Sequence, residues 1–456
     1  MFMKKIIVQT DKNSVFKNND HIKIARSLCK KWAITDGETI SLQFGNQIED
    51  VCIVETPPYK LPTIEITPEL AKKFSIPFEI FPIHCLYKQE ENTLKLGPII
   101  CCVTNQMYHE DVKFGSMTPF FEEMTRFAKQ NHIFFYVKPF NKWDGQFHGY
   151  LFENSKWQQG LFPIPNAIYN RIGSRNFEST KPFQQFSAFL QEKNIPYFNH
   201  CFLDKWETHN TLISFPEMLP YLPNTTLFND YETFIEKLTI YNCIFVKPVF
   251  GSQGRQILRI ETDKNRYVVN YSSFSQEVRN HFRSSYLLYQ RLCDRLNNQP
   301  FIIQEGIDLI HIDDRPLDFR ILCIKNSDQK WKVVSSVARI SQREKIVSNL
   351  AKGGEQKRPL DVLSQLYDEK LAKQYVKLMG ELAIEVATLI SDNYEGLFGE
   401  LGIDIALDKK GKLWIIEVNS KPSKSDSIEI TEQIRPSTRA VIAYLTYLSG
   451  YPLKRN

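Results

Sequence analysis

The sequence predicts a multidomain protein of mixed α/β and α+β class. Its 456 residues exceed the usual size of one domain and allow about two to four packing units. Three successive patterns divide the chain: short alternating strands, then strand–helix–strand repeats, then hairpins combined with long helices. We therefore predict three domains, with boundaries at 1–92, 93–200 and 201–456.

Residues 1–92 predict a small β-rich domain. Short β-rich runs at 5–9, 39–44 and 49–54 alternate with turn-forming stretches such as Thr35-Asp36-Gly37. One short helical pattern follows at 68–74. The polar segment 89–93 precedes a new apolar strand, so we end the domain there.

Residues 93–200 predict an α/β domain. The first strand–helix–strand unit covers 99–103, 117–130 and 133–137, and the second covers 167–169, 182–193 and 197–199. Such alternation is typical of a parallel sheet, because parallel strands need a crossover connection. The helix at 117–130 is amphipathic, and its apolar stripe indicates core packing rather than a binding surface.

Residues 201–456 predict paired strands and two long helices. The predicted strand pairs are 244–248 with 256–260, 317–324 with 331–340, and 403–407 with 413–418. The last pair is joined by Asp408-Lys-Lys-Gly411, a favourable hairpin turn. The helices are predicted at 361–390 and 428–448.

Composition excludes several classes of protein. A hydrophobic content of 42% with 24% charged residues indicates a globular chain rather than a disordered one. The net charge of +5 is too weak to indicate a nucleic-acid partner. No apolar run approaches the roughly 20 residues of a membrane span, and the start of the chain lacks secretory signal features. The nine cysteines have no zinc-like spacing, so we expect reduced, mostly buried thiols and a cytoplasmic location.

Acidic and amide side chains cluster on the 403–418 strand pair. Because side chains alternate along a strand, Glu417 and Asn419 emerge on one side, and the hairpin can bring Asp404 beside them. All-oxygen ligands of this kind suit Mg²⁺. The alternative is that Asp404 faces solvent and Glu417 pairs with a lysine.

Two lysines are candidate phosphate ligands. Lys247 ends a strand and precedes the loop from Gly251 to Gly254, whose glycines let backbone N–H groups approach phosphate oxygens. An ordinary hairpin turn explains the same glycines, and the loop matches neither the P-loop nor the dinucleotide motif. Lys205 lies upstream, where the alternative is an exposed lysine at a helix start.

A third cluster combines arginines with an aspartate. Asp318 and Arg320 share one strand face, the neighbouring strand ends near Arg339, and Asn349 with a Gly-Gly pair follows. These residues could hold an anionic group and its transition state. The alternative is an ion pair of Asp318 with Arg320 or Arg339. Gln304 and Glu305 end another apolar strand and could face an adenine edge.

The order of these motifs resembles the ATP-grasp superfamily, in particular its glutathione-synthetase and ribosomal-protein-glutamate-ligase branch. The layout that includes Leu96-Gly-Pro98, Tyr169-Asn-Arg-Ile172 and Phe202-Leu-Asp-Lys-Trp206 is similar to the YheC/YheD family of endospore-coat-associated ATP-grasp proteins. The resemblance implies a two-lobed ATP-grasp fold over 201–456, after a pre-ATP-grasp α/β domain and the β-rich domain.

The resemblance also implies a role for each motif. ATP would contact Lys205, Lys247, Gly251, Ser252, Gln253, Gly254, Gln304, Glu305 and Asp318. Mg²⁺ would bind Asp404, Glu417 and Asn419, while Arg320, Arg339 and Asn349 would face the transferring phosphate or the acceptor carboxylate. The loop reads Gly-Ser-Gln-Gly-Arg, where relatives are often richer in glycine.

The implied activity is an ATP-dependent carboxylate–amine ligase that forms an amide or peptide bond through an acylphosphate. Its implied partners are ATP, amino-acid or peptide substrates and spore-coat proteins, at a cytoplasmic location associated with the spore coat. The alternative is a nucleotide-binding structural or assembly protein of the coat without turnover.

Overall fold

A computed structural model of the protein describes residues 4–10, 20–57, 61–107, 114–251, 256–263, 266–272, 277–296, 299–341, 354–424 and 433–451. Contacts divide the chain into two compact units. The first comprises Met1–Cys201, Lys325–Lys330 and Thr431–Asn456, and the second comprises Phe202–Ile324 and Trp331–Ile430. The three-domain boundaries drawn from the sequence stay a prediction.

The first unit begins with a closed β-barrel. Its strands are β1 (Lys4–Thr10), β2 (His21–Ala25), β3 (Thr39–Phe44), β4 (Gln47–Thr56), β5 (Thr63–Ile66), β6 (Ile80–Lys88) and β7 (Thr93–Gly97). They pair in the order β1-β5-β2-β4-β3-β7-β6, and β6 closes onto β1. Helices α1 (Arg26–Trp32) and α2 (Pro68–Lys73) and a 3-10 turn (Gln89–Glu91) connect them. The strands and the helix predicted in this region are confirmed.

A second sheet of the first unit has a parallel centre. Its strands are β8 (Ile99–Thr104), β9 (Phe134–Pro139), β10 (His148–Glu153), β11 (Lys156–Leu161), β12 (Ala167–Asn170) and β13 (Tyr197–Phe198), in the order β11-β10-β9-β8-β12-β13. A 3-10 turn (Gly115–Met117) and helices α3 (Thr118–Gln130), α4 (Arg175–Glu178) and α5 (Lys181–Glu192) connect them. Strand β8 is parallel to β9 and β12, as predicted. The predicted apolar stripe of α3 is buried in the core: Phe120, Phe121, Met124 and Ala128.

The second unit contains two sheets, and the first is antiparallel. Its strands are β14 (Thr225–Leu227), β15 (Cys243–Pro248), β16 (Leu258–Asp263), β17 (Arg266–Ser272), β18 (Glu277–Phe282) and β19 (Phe301–Glu305), in the order β14-β19-β15-β16-β17-β18. The connecting elements are α6 (Lys205–Ile213), a 3-10 turn (Leu219–Tyr221), α7 (Tyr231–Ile240) and α8 (Ser285–Leu296). One face packs on α7 and α8 through buried apolar residues, so the opposite face of β15 and β19 is left for polar side chains.

The other sheet of this unit has the order β23-β22-β21-β24-β25, with β20 beside β21. Its strands are β20 (His311–Ile312), β21 (Arg315–Lys325), β22 (Trp331–Ile340), β23 (Glu355–Lys357), β24 (Glu400–Leu407) and β25 (Leu413–Asn419). The predicted turn between β24 and β25 is confirmed: Gly411 has φ +82°, and Asp408 accepts the N–H groups of Lys410 and Lys412.

The prediction of one helix over 361–390 is wrong. The structure has two helices there, α9 (Pro359–Leu363) and α10 (Glu369–Asn393). Asp368 starts the second helix, since its extended backbone leaves the carboxylate free to accept the N–H of Leu371. The periodicity of apolar residues continues across this cap, which is why the break was not predicted.

The last helix also begins later than predicted. Helix α11 (Pro436–Leu448) starts at a proline, which has no N–H to donate and favours the first helical position. The helix was predicted to begin at 428, but residues 433–435 are not helical, so the prediction is wrong for these three residues. Residues 428–432 lie outside the described residues. Helix α11 packs on α3, and Arg435 pairs with Glu123 of α3 at 2.5 Å.

The cysteines behave as predicted. All nine lie within the described ranges and none forms a disulfide there, and five are buried: Cys29, Cys85, Cys101, Cys102 and Cys323. In the described part of the chain, no helix combines the length and the apolar character needed to cross a bilayer.

Candidate functional site

Two lysines from different elements reach one cleft of the second unit. Helix α6 begins at Lys205 because Asp204 caps it and accepts the N–H of Glu207 at 2.7 Å. The Lys205 ammonium donates to the carbonyl oxygen of Gly251 at 2.6 Å and lies 3.1 Å from a Glu417 carboxylate oxygen. Its side chain is only 15% exposed, so the alternative of an exposed helix-start lysine is wrong.

Lys247 is buried in the same cleft, on the polar face of β15. Its ammonium donates to Oε1 of Gln304 at 2.6 Å, and Nε2 of Gln304 donates to the hydroxyl of Thr225 at 3.1 Å. Burial lowers the pKa of Lys247 to about 8. An ammonium that has lost its water in this way gains strongly from an entering anion such as a phosphate.

The cleft that these side chains line is open to solvent. Apolar side chains form much of its wall: Leu212, Leu222, Pro223, Ile302, Ile416 and Val418. Polar side chains converge on it from α6, β14, β15, β19 and β25: Lys205, Thr208, His209, Thr225, Lys247, Gln304 and Glu417. Apolar walls with a few convergent polar groups are typical of a small-molecule site.

The structure separates the two residues predicted at an adenine edge. Gln304 lines the cleft, whereas Glu305 is not among the described residues that line it. The N–H of Glu305 donates to the carbonyl oxygen of Asn224, and that of Gly306 donates to Cys243. These two backbone donors are therefore already used within the protein.

Four charged side chains form a network on the sheet of the second unit that contains β21, β22 and β24. Arg339 donates Nε and Nη2 to the two carboxylate oxygens of Asp318, at 2.6 and 2.8 Å, and its Nη2 also lies 3.0 Å from Asp404. Arg320 donates to both carboxylate oxygens of Asp404, the Nη2 contact being 3.0 Å long. The ion pair considered for Asp318 is thus formed with Arg339.

Charge pairing outweighs burial in this network. Burial alone would lower the pKa of Arg339, but Asp318 and Asp404 raise it well above its ordinary value. Burial alone would raise the pKa of Asp404, but Arg320 and Arg339 keep it below its usual value. Asp404 is 4% exposed, so the alternative that it faces solvent is wrong, whereas the alternative pairing of Glu417 with a lysine is confirmed.

The predicted metal ligands share one face of the hairpin. Asp404 is the register partner of Glu417, and Asn419 lies two residues further along the same face. No described residue hydrogen-bonds the buried Nδ2 of Asn419, and rotation of the amide would present Oδ1 at that place. Two carboxylates and an amide oxygen suit a hard cation, so the residues fit Mg²⁺.

A metal ion here would depend on Asn419 and on oxygens of a ligand. Among the residues that the structure describes, no group of three or more His, Cys, Asp or Glu side chains could hold a metal ion. Mg²⁺ commonly keeps substrate phosphates and water in its coordination shell, so two carboxylates and one amide are a sufficient protein contribution.

Four predicted site residues lie outside the described residues: Ser252, Gln253, Gly254 and Asn349. Gly251 is described, and it lies close to Pro248 at the end of β15. A Cβ atom at Gly251 would lie 2.5 Å from Cγ of Pro248, which explains a glycine at this position.

Two residues that line the cleft were not singled out from the sequence. His209 follows Lys205 by four positions, and this spacing places both on one face of α6, which was an available signal. Thr225 meets Gln304 only because β14 pairs with β19, so no local pattern could have found it.

Comparison with known proteins supports the expected family. A family model described as YheC/D-like ATP-grasp matches residues 194–448, more than half of the chain. The chain is 27% identical over 342 residues to endospore coat-associated protein YheD of Bacillus subtilis, covering 74% of this chain and 75% of that protein. Endospore coat-associated protein YheC of the same organism is 23% identical over 284 residues, covering 61% of this chain and 77% of the relative.

A more distant relative is a probable beta-tubulin polyglutamylase of Tetrahymena thermophila, 23% identical over 296 residues. That match covers 59% of this chain and 24% of the relative. The family match confirms the expected α/β ATP-grasp multidomain fold, whose two sheets in the second unit face the lysine-lined cleft. The chain belongs to the YheC/D-like ATP-grasp family.

Proposed function

We propose that this protein is an ATP-dependent, ADP-forming carboxylate–amine ligase. The observation that carries the proposal is the convergence of Lys205, Lys247 and Glu417 on one cleft of an ATP-grasp chain. Such a cleft offers cationic groups for a triphosphate and a carboxylate for its metal counter-ion. The proposed product is an amide or peptide bond.

The two lysines would position the triphosphate. Lys247 is buried and bonded to Gln304, and Lys205 is anchored between Gly251 and Glu417, so both ammonium groups are held before a ligand arrives. A bound Mg²⁺ would neutralise phosphate oxygens, and Asp404, Glu417 and Asn419 are the residues that would hold it. The glycine loop 251–254 is proposed to contact the same phosphates.

The arginines would serve the acceptor carboxylate and the transferring phosphoryl group. Asp318 grips Arg339 through both oxygens and so fixes its guanidinium, while Arg320 lies beside Asp404. In the proposed reaction a substrate carboxylate oxygen attacks the γ-phosphorus and ADP leaves. An amine then attacks the acyl carbon of the acylphosphate, phosphate leaves, and the amide remains.

The relatives suggest a class of substrate and a location. The beta-tubulin polyglutamylase among them supports an amino acid joined to a protein or peptide. The endospore coat-associated relatives support coat proteins as partners, with the enzyme acting in the cytoplasm or at the forming coat.

The test is incubation of the purified protein with ATP, Mg²⁺ and a panel of amino acids and acidic peptides. We expect ADP release that depends on one member of the panel, and a new amide detected by mass spectrometry. Lys247→Ala and Glu417→Ala should abolish ADP release with the fold retained. Lys409→Ala is the matched control, since Lys409 is 56% exposed and pairs with exposed Asp308.

The result also separates a ligase from a structural protein. Tight ATP binding without ADP release across the whole panel would overturn the ligase proposal and favour a nucleotide-binding assembly protein of the coat. Undiminished ADP release by Lys247→Ala or Glu417→Ala would contradict the assigned site.

A further inference from the structure

A buried ion pair lies next to the hairpin of the proposed metal ligands, and the proposed reaction gives it no role. Glu400 is the first residue of β24, and its side chain is 0% exposed. The side chain of Lys424 is 3% exposed, and its ammonium donates to the Glu400 carboxylate. Lys424 follows Asn419, the last residue of β25, by five positions. The pair therefore ties the chain beyond Asn419 to the strand that carries Asp404.

The segment 420–424 returns over the end of the same hairpin. Gly402 is the register partner of Asn419, and it lies against Pro422, which is buried. A Cβ atom at Gly402 would lie 2.8 Å from Cβ of Pro422, so any side chain there would push the segment away. Asn419 thus lies between the strand ladder on one side and a packed segment on the other.

The beginning of the segment is attached to the residues in front of α6. The hydroxyl of Ser420 accepts the N–H of Leu203 at 3.3 Å, and the Lys421 ammonium lies 4.5 Å from the centre of the Phe202 ring. A long neutral hydrogen bond and a partly exposed cation–π contact are weaker than a buried pair of opposite charges. We therefore expect the ion pair to decide the course of the segment.

A buried ion pair specifies a conformation more than it adds stability. The loss of water from both charges offsets much of their attraction, and an apolar pair of similar volume is often equally stable. A shift of the segment, in contrast, would leave the Glu400 carboxylate without this ammonium at a place that water does not reach. The cost of that separation holds the segment in one arrangement.

Asn419 has no other support of this kind on its side chain. No described residue hydrogen-bonds its Nδ2, so the place of its amide depends on the course of the backbone. The strand ladder ends at this residue, and only the segment 420–424 continues the chain. Groups that orient a metal ligand from outside the coordination shell typically change metal affinity by about 10- to 100-fold when they are lost.

We propose that Glu400 and Lys424 are positioning residues for the metal-binding end of the hairpin. Their ion pair fixes the segment 420–424 and thereby holds Asn419 where its amide oxygen can reach a cation. The inference rests on the proposed function, because it assumes that a nucleotide and Mg²⁺ bind beside Asp404 and Glu417.

The test is calorimetric titration of ADP in excess Mg²⁺ and, separately, in EDTA. The ratio of the two dissociation constants measures how much Mg²⁺ tightens ADP binding. In the double variant Glu400→Met with Lys424→Met, apolar side chains of similar length replace the ion pair. We expect this ratio to fall by about tenfold, while ADP affinity in EDTA stays as in wild type. Urea unfolding of the double variant should have a midpoint near that of wild type.

Two control variants separate positioning from stability. Lys424→Met alone should unfold at a lower urea concentration than the double variant, because it leaves a buried carboxylate without its ammonium. Glu123→Met with Arg435→Met removes another buried ion pair, in the first unit, and should leave the effect of Mg²⁺ unchanged. A similar loss of the Mg²⁺ effect in this second control would contradict a specific role for Glu400 and Lys424.

The outcomes distinguish the inference from the proposed function. A folded double variant with the wild-type response to Mg²⁺, or with equal loss of ADP affinity in Mg²⁺ and in EDTA, would overturn the positioning role. Wild-type protein that does not bind ADP, or that binds it equally well in Mg²⁺ and in EDTA, would refute the proposed nucleotide and metal site itself.

Discussion

Arg320 donates two hydrogen bonds to the carboxylate of Asp404, through Nε and Nη2, and Arg339 approaches the same carboxylate at 3.0 Å. Asp404 therefore balances two guanidinium groups on the buried side of the hairpin that also carries Glu417. The aspartate that we propose as a metal ligand is at the same time the electrostatic centre of its sheet.

Loss of this carboxylate should destabilise the protein. Asp404→Asn would put a neutral amide beside Arg320 and would leave Arg339 its pair with Asp318, and breaking a buried ion pair costs about 3–5 kcal/mol. Urea unfolding should show a fall of that size in the free energy of unfolding. Asp313→Asn is the control: Asp313 is 70% exposed and 3.7 Å from Arg315, so we expect a change below about 0.5 kcal/mol. A loss under about 1 kcal/mol for Asp404→Asn would contradict the network.

Nucleotide affinity should decrease at alkaline pH. Lys247 has a pKa of about 8 in the ligand-free cleft, so it carries its charge below that pH and loses it above. Because only the ammonium attracts phosphate, ADP affinity should fall by up to about tenfold per pH unit above pH 8. Calorimetric titrations across this range test the prediction. Lys247→Met should bind weakly at every pH and lose this dependence, and a wild-type affinity that stays constant would refute the assignment.

Acid should destabilise the first unit through His84 and His132. Their rings lie 5.9 Å apart, and burial lowers the pKa of both. Lys5 is the charged residue that acts on both, and it also opposes their protonation. The unfolded chain then binds more protons than the folded protein, so stability should be full above about pH 6.5 and fall as the pH drops below it.

The measurement for this pair is the free energy of unfolding between about pH 5 and pH 7.5. The expected slope is at most about 1.4 kcal/mol per pH unit for each histidine. His84→Gln should flatten the curve, whereas His148→Gln, at an exposed position, should leave it unchanged. A wild-type curve without any decline below pH 6.5 would count against the pair.

A methyl group at Gly97 should disrupt the first unit. A Cβ atom there would lie 2.8 Å from the buried ring of Tyr451 and 3.0 Å from Oδ1 of Asn166. Asn166 cannot move freely, because it accepts the N–H of Ile99 and donates to the carbonyl oxygen of Gly45. Gly97→Ala should cost about 1–3 kcal/mol of stability, measured by thermal or urea unfolding.

The matched control for Gly97 is Gly380 in α10. A Cβ atom at Gly380 would meet Val333 at an ordinary 3.5 Å, so Gly380→Ala should raise stability by up to about 1 kcal/mol. Equal stability of Gly97→Ala and wild type would show that Tyr451 does not pack on this glycine in solution.

Local sequence patterns predicted elements well where the cause is local. Strand β3 begins and ends where its β-rich run predicts, and Asp408 to Gly411 forms the predicted hairpin because turn residues specify their own geometry. The cap at Asp368 is also local, but apolar periodicity on both sides of it concealed the break.

Features that depend on distant pairing were not predictable. The barrel contains parallel pairs such as β1 with β5, whose residues are more than fifty positions apart. The candidate site shows the same division. Alternation of side chains along the strand placed Glu417 and Asn419 on one face. The contacts of Asp318 with Arg339 and of Gln304 with Lys247, in contrast, follow only from the order of strands in the two sheets.

Helix α11 adds a constraint on how the chain is made. It covers α3 of the first unit, yet it is encoded after the whole of the second unit. During synthesis the barrel and the parallel sheet emerge from the ribosome first, but α3 stays without this covering until Pro436–Leu448 has been translated. The second unit can therefore finish folding before the first unit, although most of the first unit is translated earlier.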